Sequence, residues 1–324
     1  MERQQHRAAR DARRKARQEK RRIEGPIPPI IQFPPSTDNL LCYDRNKQPI
    51  GHILRDLWRP NPAFLVCGGP SLKQLDLSKL KERGIMSLGV NNVAAYAPCR
   101  AFVCSDPPEK FHFGIWLDPA IMKLIPVPKL TKRVRAKLPD GTFRHTAFRC
   151  QDCPNVWGFS RSTVFDPATF LTADSASWGV SARDSEATGR PKVYWTMLLG
   201  VRLLHYLGAR RIYMIGVDFS MGTGPGQGYA FSQHRWAGAV GGNQNSYRVV
   251  SAMFSELRPY FDATGFEVYN CNPDSALKAF PHVPFAQAVE DCRGLVPHEP
   301  FNTEGYYEKP GNVQKQEEQD DRGT

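Results

Sequence analysis

The sequence predicts an α/β protein: a Rossmann-like, doubly wound and mostly parallel sheet with an inserted lid region. Three observations lead there. Short apolar runs at 63–67, 86–90, 101–104, about 123–127, 211–216 and 266–270 read as buried strands, and helical patterns alternate with them. The run Ala63-Phe64-Leu65-Val66 breaks directly into Cys67-Gly68-Gly69-Pro70-Ser71-Leu72, the form a strand takes when it turns into a helix around an anion. A second apolar run, Arg211-Ile212-Tyr213-Met214-Ile215, ends in Gly216-Val217-Asp218 and delivers a carboxylate to the carboxyl edge of such a sheet.

The elements follow in order. Residues 1–24 hold ten Lys/Arg against four Asp/Glu and almost no large apolar side chain, so they cannot build a core. Arg3, Arg7, Arg10, Arg14, Arg17 and Arg21 recur at alternating four- and three-residue steps. On a helix they share one face, suited either to tracking a phosphate backbone or to a solvated tail. Residues 25–36 are proline-rich and read as an extended linker, so 1–36 is expected to be disordered. A single folded domain is expected over 37–302, followed by a polar, disordered tail at 303–324. Helices are expected at 71–83, 107–117, 192–207, 246–263 and 284–292. The third is the clearest: Val193, Met197, Leu198, Val201, Leu204 and Leu207 form an apolar stripe, and Gly208 stops it. Residues 130–185 fit the alternation poorly; loop-rich, and basic from Lys129 to Lys137, they read as an insertion or lid.

Composition excludes several classes. No apolar stretch approaches the roughly 20 residues that cross a bilayer, and the arginine-crowded N-terminus lacks the apolar core of a secretory signal. Eight cysteines are scattered, mostly inside strand-like runs such as Phe102-Val103-Cys104, which predicts reduced buried thiols and a cytoplasmic location. The net charge of +11 divides into +6 on the arm, −2 after residue 312 and +7 on the body between. Both basic parts favour a polyanionic partner, DNA ahead of an anionic membrane surface. No feature indicates an oligomeric state.

Chemistry concentrates at the two strand ends. The glycines at 68 and 69 let backbone N–H groups approach an anion, with a helix starting near Ser71 pointing its positive end at it. Asp218 opens a segment with glycines at 222, 224, 226 and 228, read as a mobile loop closing over substrate. His234 and Arg235 lie just beyond it. Cys150-Gln151-Asp152-Cys153 with His145 nearby could supply three metal ligands, but no second cysteine pair follows at zinc spacing, and two thiols in a loop is the favoured reading. No metal site is expected.

These segments resemble the family 42 bacterial sialyltransferases. The likeness lies in Val66-Cys67-Gly68-Gly69-Pro70-Ser71-Leu72-Lys73 with Leu75-Asp76, in Gly89-Val90-Asn91-Asn92, and in Phe102-Val103-Cys104-Ser105-Asp106-Pro107. It continues in Leu207-Gly208-Ala209, Gly216-Val217-Asp218-Phe219, Tyr229-Ala230-Phe231 and Val268-Tyr269-Asn270-Cys271-Asn272-Pro273-Asp274-Ser275-Ala276-Leu277. Order and spacing agree over about 60–290, with the middle poorly matched. The same core is similar to a wider group containing archaeal 6-hydroxymethylpterin diphosphokinases. The resemblance implies a single-sheet transferase using a nucleotide-activated donor without a metal or other cofactor. It places Gly68, Gly69, Pro70 and Ser71 along the donor phosphate and ribose, Asn91 and Ser275 at the nucleotide, and Asp106 at the neighbouring strand end. It gives Tyr229 a hydrogen bond to the leaving phosphate. The family usually has asparagine where this chain has Gly68 and Asp106. Its catalytic histidine falls on Gly242, which leaves His234 as the replacement base and Asp218 as the alternative.

The function expected is sugar transfer from a nucleotide donor to a hydroxyl acceptor. The basic charge directs the acceptor towards a hydroxymethylated base in DNA, as in a modification enzyme of a phage working in host cytoplasm. The alternatives are an ATP- and Mg²⁺-dependent diphosphokinase of a small heterocyclic alcohol, and a non-catalytic nucleic-acid-binding protein on the same fold.

Overall fold

The computed structural model describes residues 37–137, 142–162, 164–177, 195–221, 228–231 and 239–293. The strands are β1 (Cys42–Tyr43), β2 (Ala63–Val66), β3 (Met86–Val90), β4 (Ala101–Val103), β5 (Met122–Pro126), β6 (Arg133–Lys137), β7 (Phe143–Arg149), β8 (Val156–Phe159), β9 (Arg161–Ser162), β10 (Ala176–Ser177), β11 (Arg211–Ile215) and β12 (Glu267–Asn270). The helices are α1 (Phe113–Leu117), α2 (Thr196–Tyr206), α3 (Ala239–Thr264) and α4 (Phe285–Arg293).

Eight strands form one sheet in the order β1-β8-β5-β4-β3-β2-β11-β12. Every pairing in it is parallel except that of β1 with β8. The doubly wound fold expected from the sequence is therefore present. From β2 the chain winds outward through β3, β4, β5 and β8, then returns to lay β11 on the other side of β2. The winding reverses between β2 and β11, and a fold of this kind opens a crevice there, beyond the carboxyl ends of its strands. Strands covered on both faces must be apolar on both, which is why β2 and β11 are buried at every residue.

Two cores flank the sheet. One face packs Leu65, Leu88, Val103, Ile212 and Met214 against α2 and α3. The other packs Phe64, Val66, Phe102, Tyr213 and Ile215 against α1, α4 and short 3₁₀ turns. Helix α2 lies close over the sheet: a Cβ on Gly200 would stand 2.6 Å from Leu65 Cδ1.

Three elements differ from expectation. Residues 71–83 form two 3₁₀ turns, Pro70–Gln74 and Leu77–Lys81, instead of one helix. Asp76 interrupts them, its carboxylate accepting from Ser78 N–H at 3.1 Å and Ser78 Oγ at 2.6 Å, a cap that restarts the coil. Residues 107–117 likewise split, into a 3₁₀ turn at Pro108–Lys110 and the short α1. Within 130–185, β6 and β7 form a separate hairpin, whereas β8 joins the main sheet between β5 and β1. Among the described residues no helix is long and apolar enough to cross a membrane.

Helix α2 is buried nearly all round, Arg202 and His205 included. Both serve Asp38, which is 1% exposed. Arg202 grips its carboxylate with two guanidinium nitrogens, His205 Nδ1 lies 3.1 Å from Oδ2, and Leu40 N–H donates to Oδ1 at 3.0 Å. Burial raises the Asp38 pKa, but the bonds from His205 and Arg202 outweigh it and hold the carboxyl below its ordinary range. Burial lowers His205 to about 4, so the ring is neutral and its Nδ1–H donates.

As pH falls from about 6.5 the unfolded chain takes up a proton that folded His205 refuses until about 4. Stability is thus complete above the unfolded pKa and declines with acidification, by up to about 1.4 kcal/mol per pH unit from this group. Asp38 adds to the loss as pH falls through its own lowered folded-state value. Urea titrations across that window should show His205→Asn with a shallower pH slope than the native chain; parallel slopes would remove His205 as the source.

Candidate active site

The ends of β2 and β11 cross at the switch point, and two glycines make the crossing feasible. Gly216 has φ +66°, and a Cβ there would lie 2.0 Å from Cys67 O. A Cβ on Gly69 would lie 1.8 Å from Asp218 Oδ2 and 2.5 Å from Gly216 O. Without those carbons, Cys67 N–H bonds Ile215 O and Gly69 N–H bonds Gly216 O, each at 2.9 Å. Asp218 then folds back over the turn. Its Oδ2 accepts from Ser71 N–H at 3.3 Å and Ser71 Oγ at 3.0 Å, and its Oδ1 accepts from Asn272 Nδ2 at 2.8 Å. Its own carbonyl accepts from Ala276 N–H at 2.8 Å. One residue therefore ties together the carboxyl ends of β2, β11 and β12. Burial pushes the Asp218 carboxyl above its ordinary range, and the bonds from Ser71 and Asn272 pull against that.

This geometry corrects the expected anion corner. Both donors of Ser71 are directed at Asp218, and Pro70 begins a five-residue 3₁₀ turn, not a helix with a substantial dipole. A phosphate brought to Ser71 would meet a carboxylate.

Six of the expected residues nevertheless line one cleft of about 370 Å³: Gly68, Gly69, Asn91, Asp106, Asp218 and Tyr229. Ala230 N–H bonds Gly68 O at 2.9 Å, pinning the tyrosine segment to the glycine turn. The Tyr229 ring stacks on Phe231 with centroids 5.8 Å apart, and Phe231 stacks on Tyr96 at 4.2 Å. Gly68 leaves room for that ladder, since a Cβ would lie 3.3 Å from both Tyr229 and Phe231. Asn91 sits in the left-handed region at φ +58°, which asparagine tolerates, and its buried Oδ1 has no hydrogen-bond partner among the described residues. Asp106 is at the rim, paired with Lys110 at 3.2 Å.

The remaining expected residues lie elsewhere. Pro70 is the first residue of the 3₁₀ turn, outside the cleft lining. Ser71 and Ser275 face a neighbouring cavity of about 630 Å³. Ser275 is 1% exposed; its Oγ accepts from Leu277 N–H at 3.1 Å and donates to Asp218 O at 3.4 Å. It locks a turn and does not line the cleft. His234 and Arg235 fall outside the described residues, as do the arm arginines Arg3, Arg7, Arg10, Arg14, Arg17 and Arg21. Cys150 and Cys153 are buried free thiols. Among the described residues no group of three or more His, Cys, Asp or Glu is arranged to hold a metal.

Other lining residues were not singled out from the sequence. Ser105 Oγ lies 2.7 Å from Thr196 Oγ1, the first residue of α2. Trp195, which precedes it, provides no side-chain cap, so the N-terminal end of α2 opens on the cleft. Helix α3 presents Asn243, Ser246, Tyr247 and Val250. That i, i+3, i+4, i+7 spacing is a helical face readable in the sequence, but the helix was expected to start only at 246. Gly242 is exposed and outside the lining. Tyr247 stacks on Phe219 at 5.0 Å, and burial pushes its hydroxyl up to about 12. Among the described lining residues there is no Lys, Arg or His. The cleft is a hydroxyl- and amide-rich chamber with one tied carboxylate inside and one paired carboxylate at its rim.

No protein-family model matches the chain, and no curated protein does. A solved structure, the MAf glycosyltransferase from Magnetospirillum magneticum AMB-1, aligns over 80% of this chain and 39% of its own with 12% identity and a TM-score of 0.36. The chain thus spans about two fifths of that protein's length. A superposition that loose leaves function to be argued from the cleft itself.

Substitution should separate the two glycines. Gly69→Ala must displace Asp218 and Gly216, which puts its cost at about 3 kcal/mol, whereas Gly68→Ala need only ease two ring edges and should cost about 1 kcal/mol or less. Urea unfolding of the two variants checks the order, and a reversed order would contradict the clamp.

Proposed function

We propose that the chain is a glycosyltransferase, moving a sugar from a nucleotide-activated donor to a hydroxyl acceptor without a metal. The observation that carries this reading is the convergence of Gly68, Asn91, Asp218 and Tyr229 on one switch-point cleft whose other polar lining is hydroxyl and amide. Hydroxyls and amides suit ribose and sugar rings, and the orphaned Asn91 Oδ1 suits a donor group on a base or ribose. Leaving-phosphate charge is met by the open N-terminal end of α2 and the Ser105–Thr196 pair, not by Ser71.

In the proposed step the acceptor oxygen attacks the anomeric carbon while the bond from that carbon to the phosphate oxygen breaks, its electron pair staying on phosphate. Tyr229 donates its phenolic hydrogen bond to that oxygen. The acceptor proton passes to a base. Asp218 has both oxygens engaged by Ser71 and Asn272, so it positions the cleft and the base role falls to His234. A metal-dependent diphosphokinase is less well served, since the two carboxylates in the lining are engaged by Ser71, Asn272 and Lys110. The +7 of the body favours a polyanionic acceptor such as a hydroxymethylated base in DNA.

Thermal-shift titration against CMP-, UDP- and GDP-sugars in chelator should find a stabilising donor, worth about 2.7 kcal/mol at a hundredfold excess over Kd. Stabilisation by MgATP alone would overturn the reading. With that donor, Tyr229→Phe should lower kcat by about a hundredfold with KM little changed; equal kcat would remove Tyr229 from the step.

A further inference from the structure

Residues 129–149 contain seven Lys/Arg and one Asp, so a 21-residue stretch holds +6 of the +7 that the body carries. The structure folds most of it into the β6–β7 hairpin, a two-stranded antiparallel ribbon separate from the main sheet. Its register sets Arg133 opposite Arg149 and Arg135 opposite His145. Like charges directly opposite one another destabilise a ribbon, so the Arg133–Arg149 pairing works against the fold. Among the described residues no ion pair engages Arg133, Arg144 or Arg149, and all three are exposed, as is His145. The hairpin is nonetheless firmly rooted. Val134 is fully buried in the core, Cys150 N–H bonds Lys132 O at 2.9 Å, and Gln151 N–H bonds Leu130 O at 2.9 Å. β6 packs beside Pro108–Lys110, the turn that follows Asp106 at the cleft rim. Lys129, at the foot of the ribbon, interacts electrostatically with Asp106 and Arg161. Cations therefore run from the ribbon to the edge of the cleft.

We propose that the β6–β7 ribbon is a docking surface for the phosphate backbone of duplex DNA. A two-stranded ribbon fits the roughly 12 Å major groove of B-form DNA, whereas the deep, narrow major groove of an RNA duplex excludes it. A phosphate chain supplies the repeating negative charge that relieves the opposed arginines. The ribbon deepens the transferase reading by naming its acceptor class, yet the binding itself does not require sugar transfer.

The test is fluorescence anisotropy of the full chain with a short labelled DNA duplex between about 50 and 200 mM salt. The triple variant Arg133→Ala/Arg144→Ala/Arg149→Ala should bind at least about tenfold more weakly at about 100 mM salt, with a log–log salt slope smaller by about 0.9 for each contact removed. The corresponding triple lysine variant keeps the charge and should keep most of the affinity. Should the alanine variant unfold, Arg133→Ala alone should still lower the slope by about one. Unchanged affinity and slope would overturn the proposal. So would loss of phosphatidylserine-vesicle binding with DNA binding intact, or preference for an RNA duplex. The anisotropy is read with no sugar donor present, so a failure of the transferase reading stays distinguishable from a failure of the ribbon.

Discussion

The carboxylate of Asp218 is the constraint on which the site depends. It closes a turn after β11 against a turn after β2 through Ser71, and reaches β12 through Asn272. Neither contact can form unless positions 69 and 216 lack side chains, because a Cβ at either would collide with carboxylate or backbone. Two strand ends that cross within hydrogen-bonding distance set the floor of the cleft and fix its depth. The same closure disfavours phosphate at Ser71, whose N–H and hydroxyl already face the half-buried Asp218 carboxylate. Anion recognition, if the cleft performs it, has to come from the opposite wall, where the N-terminal end of α2 meets Ser105.

Charge is sorted by location. The cleft lining has no described cation, while the stretch 129–149 that forms the hairpin beside it has a net charge of +6 against the +7 net charge of the whole body. Desolvating Lys or Arg in a pocket is costly without a fixed partner, and a chamber for hydroxyls and an aromatic base does not require one. On the proposed reading, exposed arginines on a rooted ribbon would keep their hydration until a polyanion displaced it. Recognition of a large charged partner and close handling of a small polar one can thus proceed at adjacent places without competing for the same side chains.

The sheet was legible because its strands are covered on both faces. Ala63–Val66 is a continuous apolar run, and Met86–Val90 and Arg211–Ile215 are apolar but for Ser87 and Arg211, a pattern with few other readings. β8 escaped notice: Val156-Trp157-Gly158-Phe159 is four residues long and embedded in a basic, loop-rich stretch. Local chemistry misled at 71–83, where Asp76 caps a second turn instead of continuing a helix. Asp218 could be read as a strand-end carboxylate, but its bond to Ser71 spans 147 positions, and the grip of Arg202 on Asp38 spans 164. No periodicity encodes contacts of that range. Arg202 and His205 fall outside the apolar stripe of α2, yet both are buried, because Asp38 at the start of the domain lies across them.

A cleft with no described cation beside a cationic ribbon also bears on how a nucleic-acid acceptor would be handled. Phosphates held along the ribbon would remain outside, since the tied Asp218 carboxylate repels them from the floor. A base carries no charge and has a flat π-face, so it could pass the rim and meet the stacked Tyr96, Phe231 and Tyr229 rings, of which Tyr96 is 52% exposed. Stacking on an aromatic side chain is worth about 1–3 kcal/mol per base, and extruding a base from a duplex costs a few kcal/mol. One aromatic ladder is therefore of the right size to offset most of that cost. On the proposed reading, the wall that supplies Tyr229 to the leaving group also steadies the acceptor, and the glycine at position 68 lets its rings lie close against the turn.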